Sequence, residues 1–147
     1  MNEIQKSESI KNLATAQMKM QKELKNLDLN AKGFNYKYTS LDNLLEYARN
    51  ILSKHGLSFL QMPIGSDTTI GLETIYMHES GEWISSKMES PIGAMKGLNV
   101  YQSSGSAITY FRRYALMSFM GVFGEEDKDA SDKVFNNKKI NSNDLPF

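Results

Sequence analysis

The spacing of apolar residues changes along the chain, and each change predicts a new element. Ile10, Leu13, Gln17, Met20, Leu24 and Leu27 recur every three or four positions, with Lys11, Lys19, Lys22 and Lys25 spread around them. This is the helical period, and it predicts a helix over 3–27. The stretch 28–39, DLNAKGFNYKYT, is broken by Asn30 and Gly33, is rich in aromatics, and reads as a loop. Leu41, Leu44, Leu45, Ala48, Ile51 and Leu52 then define a second helix. Ser40 stands at its N-cap and Asp42 in its first turn, where a negative charge meets the positive helix end. Lys54 and His55 suit its last turn, and Gly56 sits where a helix-ending glycine belongs.

After Gly56 the period falls from 3.6 to 2. Leu57–Met62 is a strand that Pro63 should stop, and Thr68–His78 alternates at Ile70, Leu72, Thr74 and Tyr76. The turn Glu79-Ser80-Gly81-Glu82 leads into a third strand over Trp83–Met88, so these two strands form a hairpin. Pro91 and Gly93 open a loop to about Leu98. From Asn99 to Met120 the chain can form one long helix, ended by Gly121 and Gly124. The expected fold class is α+β: an antiparallel three-stranded meander packed on a long helix, with two N-terminal helices. There is no internal repeat.

The long helix raises a physical problem. Ala107, Ile108, Tyr110, Phe111, Tyr114, Ala115, Leu116, Met117 and Phe119 cover nearly its whole circumference, which predicts burial. Arg112 and Arg113 nevertheless sit in its middle, about 100° apart around the axis. An unpaired buried guanidinium costs several kcal/mol, on the order of the penalty for any buried ion. At least one arginine must therefore reach a carboxylate (Glu46 or Glu73, for instance), the surface, or a phosphate. Tyr110 and Tyr114 lie within a turn and offer stacking faces beside any phosphate held by the guanidinium forks. Upstream, Ser103, Ser104, Gly105, Ser106 and Ala107 are small enough for a neighbouring element or a ligand to approach closely.

Composition narrows the classes. At 147 residues and 40% hydrophobic, the chain has room for one domain and a tail. No apolar run is long enough to cross a bilayer, and the first ten residues lack a signal-peptide core, so a cytoplasmic protein is expected. Zero cysteines exclude disulfides and cysteine–zinc sites, and His55 and His78 are too few for a histidine-rich metal centre. No cofactor is expected. The 17 basic and 17 acidic residues divide unevenly: six acids against four lysines lie in 125–147, leaving the body at +2. The expected division is thus a domain over 1–124 and a disordered, acidic and polar tail over 125–147. Asp127, Asp129 and Ser131 fit the start of a calcium loop, but Asp132 replaces its glycine and Lys138 its closing glutamate, so that reading fails. No P-loop is present, and outside the tail the acids are too scattered to hold a nuclease metal, so no enzyme is expected.

The run GSAITYFRRYAL over 105–116 resembles the signature of the Erf family of phage single-strand annealing proteins. The match falls on Gly105, Ser106, Ala107, Thr109, Tyr110, Arg112, Arg113, Tyr114 and Leu116. Lys37-Tyr38-Thr39-Ser40-Leu41, His55-Gly56-Leu57 with Gln61, and Ser80-Gly81-Glu82 are similar to further family features, in the same order. The resemblance implies an annealing-protein, ring-forming type of core. It also implies single-stranded DNA binding and ATP-independent annealing of complementary strands in phage recombination, by rings or filaments of one chain.

On that reading the DNA-binding candidates are Arg112 and Arg113 for phosphates, Lys37 and Lys96 on loops, and Tyr38, Tyr101 and Tyr110 for bases. Tyr36 could also stack, and Lys87 ranks behind the other lysines. The terminal Asp144, Leu145, Pro146 and Phe147 resemble the C-terminal tip of bacterial single-stranded-DNA-binding proteins. They would recruit host or phage replication or recombination proteins. The alternative is a passive protein that coats single-stranded DNA and recruits partners through that tip, although such proteins use a five-stranded barrel.

Overall fold

The computed structural model describes residues 4–33, 36–93 and 95–125. The expected tail, with its apolar tip at Asp144–Phe147, lies outside the described residues apart from Glu125. The order is β1 (Gln5–Lys6), α1 (Lys11–Glu23), β2 (Ala31–Gly33), β3 (Tyr36–Tyr38), α2 (Leu41–Lys54), β4 (Leu57–Gly65), β5 (Thr69–His78), β6 (Trp83–Pro91) and α3 (Val100–Met120). The class is α+β, with three helices and antiparallel sheets.

Four strands make the main sheet in the order β1-β6-β5-β4, with neighbours antiparallel. One face carries the core. Leu57 and Tyr76 meet Leu13, Ala16 and Met20 of α1, Leu44, Ala48 and Leu52 of α2, and Leu116, Met117 and Met120 of α3, and Leu72 of β5 is buried as well. The period-2 pattern therefore points one set of strand residues at the helices and leaves Leu60 and Met62 exposed on the other face. Polar side chains also dock α3 onto its neighbours. Tyr76 donates its hydroxyl to the Ala115 carbonyl, Gln17 its amide to Phe119 O, and Gln61 its amide to Arg112 O.

Several boundaries differ from the sequence expectation. The first helix does not begin at residue 3: Gln5 and Lys6 pair with Ser85 and Ile84 as an edge strand instead. It ends at Glu23, because Leu24 is already extended. The stretch 28–39 is not a plain loop, since β2 and β3 pair across it with Lys32 opposite Lys37. Pro63 does not stop β4, which runs on to Gly65: β4 is an edge strand, and a missing N–H on the free edge breaks no ladder bond. The third strand likewise extends to Pro91, opposite Thr69.

The helix caps explain several short sequence features. Ser40 is the N-cap of α2 by position, yet its hydroxyl donates to Asp42, and the cap is completed by Asn30. The Asn30 carbonyl oxygen accepts from Ser40 N at 2.9 Å and its amide donates to Ser40 Oγ at 2.9 Å. Asn99 and Gln102 form a reciprocal capping box on α3, and Gly121 closes that helix at φ 74°. α1 is capped from a distance. Its N-cap Ile10 has no polar side chain, and the carboxylate of Glu82, in the β5–β6 turn, accepts the Leu13 N–H at 2.8 Å. Asn12 and Ser9 donate to the same carboxylate.

Burial works against ionisation of Glu82, but the Leu13, Ser9 and Asn12 donors outweigh it and hold the carboxyl below its ordinary range. A carboxylate held low in the folded state adds stability above its unfolded pKa and loses it as the pH falls through the folded value. Glu82→Gln should therefore lower the melting temperature at neutral pH. It should also narrow the difference between urea midpoints at pH 7 and about pH 4, and an unchanged difference would remove Glu82 from the cap.

Candidate nucleic-acid interface

The burial expected for the whole long helix holds only for its C-terminal half. Phe111, Arg113, Ala115, Leu116, Met117 and Met120 are buried, whereas in 100–110 only Ser103 is. The N-terminal half leaves the core and carries its apolar residues into solvent, with Tyr101 89% and Tyr110 49% exposed. Periodicity could not reveal this, because an all-apolar circumference looks the same whether a helix is enclosed or protrudes.

Arg113 is the buried arginine of the pair, at 6% exposure. Its Nη2 pairs with Glu125 Oε1 at 3.2 Å, so its partner is neither Glu46 nor Glu73. The guanidinium also lies 4.4 Å from the centroid of the Tyr38 ring and 5.6 Å from that of Tyr114. Tyr114 donates its hydroxyl to the same Glu125 oxygen at 2.6 Å. Burial, followed by the Glu125 hydrogen bond, pushes that phenol well above its ordinary range and keeps it a donor. Thr39 N donates to Gly124 O at 2.7 Å, tying the same stretch to β3. The aromatic hairpin, the middle of α3 and the chain after it thus share one charge-centred joint.

Arg112 points elsewhere, as its 100° offset requires. Its Nε donates to Gln61 Oε1 at 3.2 Å, while Gln61 Nε2 donates to Arg112 O at 3.0 Å. This two-way clasp uses the Nε of the guanidinium, and Arg112 also lines a hollow between α2 and β4.

Between the β2–β3 hairpin and the exposed half of α3 lies a cleft of about 800 Å³. Its walls include Tyr36, Tyr38, Tyr110 and Arg113, with Gly105 and Ser106 on the α3 side. Tyr36 and Tyr38 lie 5.5 Å apart between ring centroids, and Tyr110 leans on Tyr114 at 4.2 Å. Three candidate residues, Tyr38, Tyr110 and Arg113, thus meet in one place. Lys37 lies on the same hairpin, exposed and on the opposite face of β3 from Tyr36 and Tyr38. Lys96 and Tyr101 stand exposed near the start of α3 and do not line the cleft. Lys87 faces Glu73 across β5 and β6.

Two further residues join the candidates from the structure. Lys32 sits directly opposite Lys37, and like charges facing one another across a hairpin are unfavourable unless an anion lies near. Arg49, exposed on α2, lines the same hollow as Arg112. Lys32 had a signal in the sequence, the alternation of AKG with YKY about Gly33, whereas Arg49 had none. Gly105 also changes meaning. Among the described residues a Cβ built there would touch nothing within 4 Å, so none of the described elements needs its smallness.

An α+β chain with an aromatic cleft, one wall of which is a hairpin carrying two facing lysines on its other face, has the features of a nucleic-acid-binding module. No helix among the described residues is long and apolar enough to cross a membrane. The chain belongs to the ERF superfamily, whose family model matches residues 10–144. That membership points to a part in phage DNA recombination. No curated protein matches the chain significantly.

Breaking the Arg113–Glu125 pair leaves a charge in a mostly dry site. Glu125→Gln should cost about 3 kcal/mol in urea unfolding, the low end for a buried pair because Glu125 keeps some solvent contact. A loss within the error of the measurement would show that the joint does not hold the hairpin to α3.

Proposed function

We propose that the protein binds single-stranded DNA in the cleft between the β2–β3 hairpin and α3, and anneals complementary strands without nucleotide hydrolysis. It would act as a ring or filament of copies and break no bond in the DNA. The observation that carries the reading is the cleft, where Tyr36, Tyr38 and Tyr110 converge beside an exposed mid-helix glycine.

The chemistry follows from the residue types. Aromatic faces take unpaired bases regardless of sequence, each stack contributing roughly 1–3 kcal/mol. Lys32 and Lys37, which repel one another in the free protein, gain from a phosphate placed near both. A backbone gripped in this way leaves base edges free to test a second strand. Gly105 supports the same reading. In an exposed helix interior a glycine costs about 1 kcal/mol relative to alanine, and no contact among the described residues offsets that cost. A strand lying against the α3 backbone would.

Gly105→Ala separates fold from function. The variant should unfold at a higher urea concentration, by about 1 kcal/mol, and yet bind an oligo-dT strand more weakly. Tighter or unchanged binding would remove the strand from that face. Tyr110→Ala should weaken the same binding roughly tenfold. Annealing of complementary oligonucleotides without ATP should be faster with the wild-type protein than without it. Slowed annealing would mark a passive coating protein, and magnesium-dependent cleavage would mark a nuclease.

A further inference from the structure

Apart from the cleft, α2, β4 and Arg112 of α3 border a hollow of about 690 Å³. Arg49 and Arg112 both line it, together with Asn50, Ser53 and Ser58, over an apolar lining that includes Phe59. No carboxylate lines it among the described residues. Arg49 is exposed, and among the described residues it forms no salt bridge. Two guanidinium groups are permanently charged, so a shared hollow without an acid is unfavourable until an anion enters.

The hollow is built as well as charged. The Gln61 clasp uses the Nε of Arg112 and one backbone carbonyl, which leaves the Nη donors of its fork for a ligand. Ser53 donates its hydroxyl to the Asn50 carbonyl at 3.2 Å, while the Ser58 hydroxyl and the Asn50 amide make no hydrogen bond among the described residues. The volume lies in the range of small-molecule sites and exceeds what a bare phosphate fills. An apolar wall at Leu45, Leu57 and Phe59 suits a base or a sugar.

We propose that this hollow takes one nucleoside monophosphate unit, with its phosphate between Arg49 and Arg112 and its base against Phe59. The choice of a nucleotide over other organic phosphates rests on the nucleic-acid reading above, whereas the anion site stands on its own geometry. The unit can be a free nucleotide or one nucleotide of a strand.

The test uses the full chain and backbone amide spectra. Deoxyadenosine 5′-monophosphate should shift the amides of Arg49, Ser53 and Ser58 and the Nε–H of Arg112. Deoxyadenosine without phosphate should leave them in place. Arg49→Gln, at an exposed position, should keep the melting temperature and lose roughly tenfold to a hundredfold in affinity, and Arg112→Gln should do the same to the ligand. An oligo-dT strand that moves the same amides and displaces the mononucleotide assigns the site to a strand, and one that leaves them unmoved assigns it to free nucleotide. The proposal is overturned if millimolar mononucleotide shifts none of these groups, if deoxyadenosine shifts them equally, or if inorganic phosphate binds as well as the nucleotide. The cleft is tested separately by Gly105→Ala and Tyr110→Ala, whose residues do not line this hollow. DNA binding that survives while the mononucleotide shifts none of these groups would refute the hollow and leave the cleft standing, and mononucleotide shifts without DNA binding would do the reverse.

Discussion

The structure around the candidate interface depends on how one buried guanidinium is neutralised. Arg113 sits on the half of α3 that packs into the core, and its charge cannot remain there unaccompanied. Glu125 supplies the counter-charge, Tyr114 hydrogen-bonds the same carboxylate oxygen, and Tyr38 covers the guanidinium plane. Meeting that single requirement brings the chain after α3 back beside β3, where Tyr38 and Glu125 pair as an isolated bridge. It also sets the hairpin at the distance from α3 that opens the tyrosine cleft. A sheet of three-residue strands would have little stability alone, so this joint is what makes the cleft a fixed shape.

Neighbouring residues in the helix therefore take opposite duties. Arg113 is occupied from within and holds hairpin, helix and chain end together. Arg112, 100° away, is oriented by Gln61 and keeps its terminal donors for something outside. The pair gives α3 a part in an aromatic cleft through Arg113 and in a basic hollow through Arg112. A strand of nucleic acid offers both kinds of group, flat bases and regularly spaced phosphates. The same division explains why α3 is buried for only half its length: the buried half anchors, and the protruding half is presented.

The short motifs that resemble the Erf family have mostly architectural explanations. Gly56 and Gly81 hold positive φ at a helix end and a turn, Glu82 caps a helix distant in sequence, and Gln61 clasps an arginine. Each of these residues has a local structural role in this fold. The residues that would meet DNA lie among and beside them, and a signature containing both kinds does not by itself tell them apart.

Periodicity alone determined much of the fold. The second and third helices and the period-2 strands were legible because amphipathic spacing and caps are local properties, readable wherever one face of an element is buried. Ser40, Gly56, Asn99 and Gly121 marked their ends for the same reason. The strand β1, the hairpin β2–β3 and the run of β4 through Pro63 were not legible, since each depends on which neighbour is present or absent across a sheet. The site divided along the same line. The residues Tyr38, Tyr110, Arg112 and Arg113 could be picked out by type and position. That Tyr38 and Tyr110 share a cleft, that Glu125 neutralises Arg113, that Lys32 faces Lys37 and that Arg49 joins Arg112 are facts of contact between residues far apart in the chain or on different elements. Only the tertiary structure decided them, because charge and burial depend on what surrounds a side chain, and the chain order does not carry that information.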